Sequence, residues 1–178
     1  MEAIIISGLP ASGKSTVAEI IAKKLHIRAI NVGDILKSKF AEKDTKSFWD
    51  SSEGFTALSK REKEESIDKS IDRLVVNIIK RGNIVLTSYV MPWISKRGYK
   101  VWLDASKKER AKRLAKRDKI SIEKSEKIIN KRDKENYILY KKIYNIKFGK
   151  DKKPFDLIID TEDLSPKKVA EIIIEKIR

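Results

Sequence analysis

Residues Gly8-Leu9-Pro10-Ala11-Ser12-Gly13-Lys14-Ser15, followed by Thr16, constrain this chain most, because they satisfy the pattern G-x-x-x-x-G-K-[ST] in full. Ahead of them stands the apolar run Ile4-Ile5-Ile6, and behind them Val17, Ile20, Ile21 and Leu25 recur at helical spacing. A buried strand, a tight loop and an amphipathic helix are therefore expected in that order. The glycines let the backbone curl so that successive N–H groups face a phosphate. The following helix adds its positive N-terminal end. Lys14 can reach the β- and γ-phosphates, and the Ser15 hydroxyl is placed to ligate Mg²⁺. Gly8, Ala11, Ser12, Gly13, Lys14, Ser15 and Thr16 are thus the candidate ligands of ATP with its magnesium. The competing possibility, a glycine-rich turn that binds nothing, leaves the strand–loop–helix context unexplained.

Further strands are expected around Arg28 to Val32, at Ile84-Val85-Leu86, from Lys100 to Leu103 and from Asp156 to Asp160. Between them, Ile67, Ile71, Leu74, Val75, Ile78 and Ile79 share one helical face, with Gly82 as the stop. Charged helices are predicted from Ser106 to about Arg117 and from Ile122 to Tyr144, and Ser165-Pro166 caps a last one. Strands alternating with helices predict an α/β fold, a three-layer α/β/α sandwich of the P-loop NTPase type with five parallel strands. The 178 residues fit a single domain with core segments 1–37, 67–117 and 137–178. An acceptor-binding insert is assigned to about 38–66, docked by Phe48, Trp49 and Phe55, and a basic lid to about 118–136.

The absence of cysteine removes disulfides and thiolate metal sites, and one histidine, His26, removes histidine clusters. No apolar run approaches the roughly 18 residues that span a bilayer, so a cytoplasmic protein without membrane contact is expected. Glutamine is absent while Lys, Glu, Arg and Ile abound, a usage resembling that of heat-adapted proteins. Forty-one Lys and Arg against 26 Asp and Glu leave a net charge of +15. Such a field attracts nucleotides or RNA, or else it is a lysine-rich solvated surface. RNA binding is expected to be weak, because aromatic stacking platforms are sparse near the basic helices.

The order of motifs resembles that of nucleoside monophosphate kinases, and among them archaeal-type cytidylate kinases. Gly8 to Thr16 is similar to the family's phosphate loop and Gly33-Asp34-Ile35-Leu36 to its G-[DE]-[IL]-[FL] helix start. Ile67-Asp68 to Asp72 resembles its I-D-x-x-I-D stretch, and Arg113-Leu114-Ala115-Lys116-Arg117 its R-[IL]-A-x-R motif. Arg132-Asp133 with Tyr140 and Tyr144-Asn145-Ile146 follows its R-E…Y…Y-G-I run, and Phe155 to Thr161 its Y-D-L-V-I-N-T strand. The resemblance implies that Arg113 packs on adenine and that the loop after Thr161 meets the adenine edge. It implies, too, that Arg117 and Arg132 neutralise the migrating phosphoryl group, alongside Lys14. Asp34, Lys37, Tyr89, Trp93 and Asp133 become the substrate-binding candidates, with Phe48, Trp49 and Asp50 around a pyrimidine base. Planar, permanently charged arginine suits phosphoryl transfer, which asks mainly for alignment and cations.

Departures concentrate on the acceptor side. Lys37 replaces the family's first acceptor-phosphate arginine, and Tyr89 in Ser88-Tyr89-Val90-Met91-Pro92-Trp93 replaces the second. Thr87 stands where an acidic residue helps to position magnesium-bound water. Two functions remain open at this point. One is cytidylate-kinase-like transfer from ATP to CMP or dCMP; the other is an ATP-binding paralogue or slow ATPase with an altered acceptor, associated with RNA. A monomer or small homo-oligomer is expected, and arginine restored at Tyr89 is expected to tighten acceptor binding.

Overall fold

The computed structural model describes residues 1–40 and 48–177. The chain runs β1 (Ile4–Ser7), α1 (Lys14–Leu25), β2 (Arg28–Asn31) and α2 (Val32–Lys37). A 3₁₀ turn (Phe48–Asp50) then leads to α3 (Ser52–Lys63), α4 (Glu65–Arg81), β3 (Ile84–Thr87), α5 (Met91–Ile94) and β4 (Tyr99–Asp104). It closes with α6 (Lys107–Asp118), α7 (Ile122–Tyr144), β5 (Leu157–Asp160) and α8 (Pro166–Lys176). The five strands form one parallel sheet in the order β2-β3-β1-β4-β5, as the alternation predicts.

Side chains alternate across a strand, so β1 serves both faces of the sheet. Ile4 and Ile6 join Val17, Ile21, Val169 and Ile173 under α1 and α8. Ile5 points the other way, into a core with Val75, Ile79, Leu86, Trp102 and Tyr140. The central strands β1 and β3 are buried on both faces, which is why they read as continuous apolar runs, whereas the edge strands β2 and β5 are partly exposed. Helix starts follow local chemistry: the Ser51, Ser106, Ser121 and Ser165 hydroxyls each accept an N–H three residues on. By contrast α1 is preceded by Gly13, with φ 93° and no side-chain cap, leaving the first N–H groups of the helix for another acceptor. His26 closes the same helix in the left-handed conformation.

The insert assigned to 38–66 contains the 3₁₀ turn and α3, and its part from 41 to 47 lies outside the described residues. Phe48 is buried in the core, and the Trp49 Nε1–H donates to the Gly33 carbonyl. Residues 118–136, assigned to a lid, comprise the end of α6, a short turn and the first part of α7, which packs along α6 and α3. The short helix α5 has no counterpart in the sequence reading, because four residues are too few to show a period. No helix among the described residues is long and apolar enough to cross a membrane.

Candidate active site

A cavity of about 770 Å³ opens at the carboxyl ends of β1 and β3, where open parallel sheets bind their ligands. Ala11, Ser12, Gly13, Lys14, Ser15 and Thr16 line one end. The loop is tight: a Cβ on Gly8 would lie 2.5 Å from the Leu103 carbonyl and 2.5 Å from Ser12 Oγ. Gly8 itself lies beneath the loop, and its carbonyl accepts from Lys14 Nζ at 2.9 Å. The same ammonium donates to the Leu9 carbonyl at 2.8 Å and sits 4.9 Å from the Tyr89 ring centre. Burial, with the charges of Arg132 and Arg110 added, holds the Lys14 ammonium well below the usual lysine range. An arriving phosphate would reverse that deficit.

Arg113 is fixed beside the loop. Its Nη2 donates to the Thr161 carbonyl at 2.6 Å, its Nη1 to Thr161 Oγ1 at 3.0 Å, and its Nε to Glu109 at 3.0 Å. The cavity continues past it along the segment from Glu162 to Pro166. Arg117 and Arg132 converge from α6 and α7 on one carboxylate, that of Asp50. Arg132 Nη1 donates to Asp50 at 2.7 Å, and its Nη2 donates to the Tyr89 hydroxyl at 2.9 Å. Asp50 is therefore an internal anion lodged in a fork of two arginines, rather than a free wall of a base pocket. Asp34 and Lys37 line the cavity as an ion pair at 3.5 Å.

Two substrate-binding candidates are placed elsewhere. Trp93 packs edge-on against Trp102 and Phe155, and its Nε1–H donates to Asp151 at 3.2 Å, off the cavity wall. A large aromatic beside three others gains more from that cluster than from a polar ligand. Asp133 accepts two hydrogen bonds from Arg110, at 3.0 and 2.7 Å, and Arg110 also donates to the Pro10 carbonyl at 3.1 Å. Asp133 thus ties α7 through α6 to the underside of the phosphate loop.

Tyr89 is also not what its position in the motif implies. Its ring centre lies 5.1 Å from that of Phe148 and 5.9 Å from that of Tyr140, between Lys14 and Arg132. Burial pushes its phenol upward, so the hydroxyl keeps its proton and can donate while accepting from Arg132. Tyr89→Arg would set a third cation beside two others and lose the ring packing. The expected result is a stability loss of about 1–3 kcal/mol in denaturant titration, with no fall in the acceptor Michaelis constant. A tenfold lower constant at unchanged stability would restore the expectation drawn from the motif.

On the far wall, the motif from Asp68 to Asp72 was visible in the sequence, but Arg61 and the partners of these acids were not. Arg61 on α3 donates to Asp68 on α4 through Nε at 3.0 Å and Nη2 at 2.6 Å, and both side chains are 3% exposed. Asp72 accepts from the Tyr144 hydroxyl. Arg61 lay hidden in the run Lys60-Arg61-Glu62-Lys63, which reads as a solvated helix face. Its one signal was an aspartate seven residues on, across the α3–α4 turn.

Fold and cavity together define a phosphotransferase of the P-loop kinase class. A family model described as an AAA domain matches residues 4–137. The chain is 35% identical over 175 residues to the cytidylate kinase of Ignicoccus hospitalis, covering 97% of both proteins. To the cytidylate kinase of Sulfurisphaera tokodaii it is 37% identical over 176 residues, covering 96% of this chain and 92% of the relative. The chain belongs to the cytidylate kinase family. Among solved structures, a shikimate kinase from Acinetobacter baumannii in complex with shikimate aligns with TM-score 0.62 at 18% identity, over 99% of this chain and 93% of that one. At that identity the likeness is one of fold.

Proposed function

We propose that this protein transfers the γ-phosphoryl group of ATP, with Mg²⁺, to CMP or dCMP, releasing ADP and the cytidine diphosphate. The observation that carries this is one cavity joining the phosphate loop to a pocket under α3, α4 and α7, with Lys14, Arg117 and Arg132 all on its wall. The triphosphate would lie on the amides of residues 11–16 and the uncapped start of α1. Adenine would rest between Arg113 and the segment after Thr161.

Attack in line by an oxygen of the acceptor phosphate needs alignment and cations more than a general base. Arg117 and Arg132 would exchange Asp50 for the migrating group, which arrives with more charge than a carboxylate. The Tyr89 hydroxyl and Lys37, the latter steadied by Asp34, would hold the acceptor phosphate. Magnesium supplies neutralisation of the β- and γ-phosphate oxygens when bound. Ser15 would ligate it, and the Thr87 hydroxyl fits a hydrogen bond to metal-held water: it lines the cavity, buried and without a partner among the described residues.

With enzyme in excess and the γ-phosphate of ATP labelled, mixing with CMP should move the label into the β-phosphate of CDP within one turnover. Release of all the label as inorganic phosphate would favour the slow-ATPase alternative instead.

A further inference from the structure

We propose that Asp50 stands in for the migrating phosphoryl group in the empty site, and so suppresses ATP hydrolysis until an acceptor is seated; this rests on the phosphoryl-transfer function above. Asp50, Arg117 and Arg132 all line the cavity. Asp50 ends the 3₁₀ turn, whereas the two arginines come from α6 and α7. One carboxylate oxygen accepts from Arg132 Nη1 at 2.7 Å and the other from Arg117 Nη2. The bond to Arg132 is the stronger hold, since the two side chains are only 9% and 4% exposed. Arg117 is 42% exposed, and solvent weakens its share.

The fork is electrically neutral only while Asp50 occupies it. Arg117 also donates to Asp118, from Nε at 2.6 Å and from Nη2 at 2.8 Å, so both arginines are matched by carboxylates. Without Asp50 the fork would carry net positive charge, and Arg132 Nη1 would be open to a phosphate oxygen. Arg132 would stay pinned, because its Nη2 donates to the Tyr89 hydroxyl at 2.9 Å. Its Nε is buried and has no partner among the described residues, so one more donor stands in reserve. Preorganised cations of this kind are what in-line phosphoryl transfer asks for.

Water can take the acceptor's place. Its oxygen would bond to the γ-phosphorus as the bond to the bridging oxygen breaks, giving ADP and inorganic phosphate, with one water proton passing to solvent. That reaction needs the same two cations as transfer. While Asp50 holds them, ATP alone meets a carboxylate where its γ-phosphate needs positive charge. The Asp50 side chain is 4% exposed, so it leaves by movement of the turn that carries it. That turn belongs to the acceptor side. The Trp49 Nε1–H donates at 3.2 Å to the Gly33 carbonyl on α2, where Asp34 and Lys37 line the cavity, and Ser51 caps α3. An acceptor seated against α2 and α3 thus displaces Asp50 and frees both arginines together.

The test is Asp50→Asn, which keeps the shape and removes the charge, beside Asp50→Glu, which keeps the charge. Release of inorganic phosphate from Mg-ATP, with no monophosphate present, should be at least about tenfold faster in Asp50→Asn than in wild type, a factor that one charged hydrogen bond supplies. Asp50→Glu should rise by a smaller factor. A merely structural role would raise neither rate. Inorganic sulfate reads the same fork without ATP. It should lift the melting temperature of Asp50→Asn more than that of wild type at equal ionic strength, and this arm serves even if the variant is too unstable for the assay. An Asp50→Asn protein that binds Mg-ATP yet hydrolyses it no faster than wild type would overturn the proposal, as would equal responses to sulfate. Faster hydrolysis by Asp50→Asn, where wild type moves no label to CMP, would uphold the stand-in and sink the acceptor assignment alone.

Discussion

Lys14→Ala should lower phosphoryl transfer by a factor of about 10²–10³ or more, the loss typical when one preorganised charge at a reacting oxygen is removed. The site explains the size. The Lys14 ammonium is buried, crowded by Arg132 and Arg110, and among the described residues bonded only to loop oxygens, so its strongest available partner is an incoming phosphate. Binding should suffer in step. Mg-ATP at a hundred times its dissociation constant stabilises a protein by about 2.7 kcal/mol through mass action. The resulting rise in melting temperature should largely vanish in Lys14→Ala, as scanning calorimetry with and without Mg-ATP would register. A variant that keeps both the rise and the rate would place the triphosphate somewhere other than the loop.

Asp68→Ala should cost about 3–5 kcal/mol of folding stability, because it strands the Arg61 guanidinium in a site where both partners are 3% exposed. The pair itself contributes far less than that figure. Removing both charges together, as Arg61→Met with Asp68→Ala, should recover much of the loss. Denaturant midpoints at constant slope are the measurement. A double variant as unstable as Asp68→Ala alone would show that packing against Trp49 and Tyr140, rather than stranded charge, governs the site.

The two walls of the cavity differ in how far sequence exposes them, for a physical reason. The nucleoside-triphosphate end is built from consecutive residues, since a phosphate cradle needs successive backbone amides and a helix start. Gly8 to Thr16 therefore carries its own signature, and the helices and strands around it show their periods plainly. The end proposed for the acceptor is assembled from α2, α3, α4, α7 and the segment after β3, and contacts such as Arg132 to Asp50 join residues 82 positions apart. No local pattern announces a contact of that kind.

Tyr89 illustrates the same limit. Read in line, it is an arginine lost; in space it lies between Lys14 and Arg132, with a hydroxyl that accepts from Arg132 and has a proton free to donate. Trp93 and Asp133 fail in the opposite direction. Their motif positions suggest substrate contact, yet aromatic clustering and the Arg110 pair claim them. Arg61 was least legible, because a charged residue on a helix looks solvated until a second helix covers it, and the motif holding Asp68 and Asp72 gave them no partner.

The central claim is transfer to a cytidine monophosphate, and kcat/KM measured across the common ribo- and deoxyribonucleoside monophosphates with Mg-ATP tests it most directly. CMP and dCMP should lead UMP, AMP and GMP by at least about tenfold, in keeping with one charged hydrogen bond gained or lost at the base. No turnover of any monophosphate, combined with nanomolar RNA binding at physiological salt, would contradict the account and leave an RNA-associated ATPase in its place.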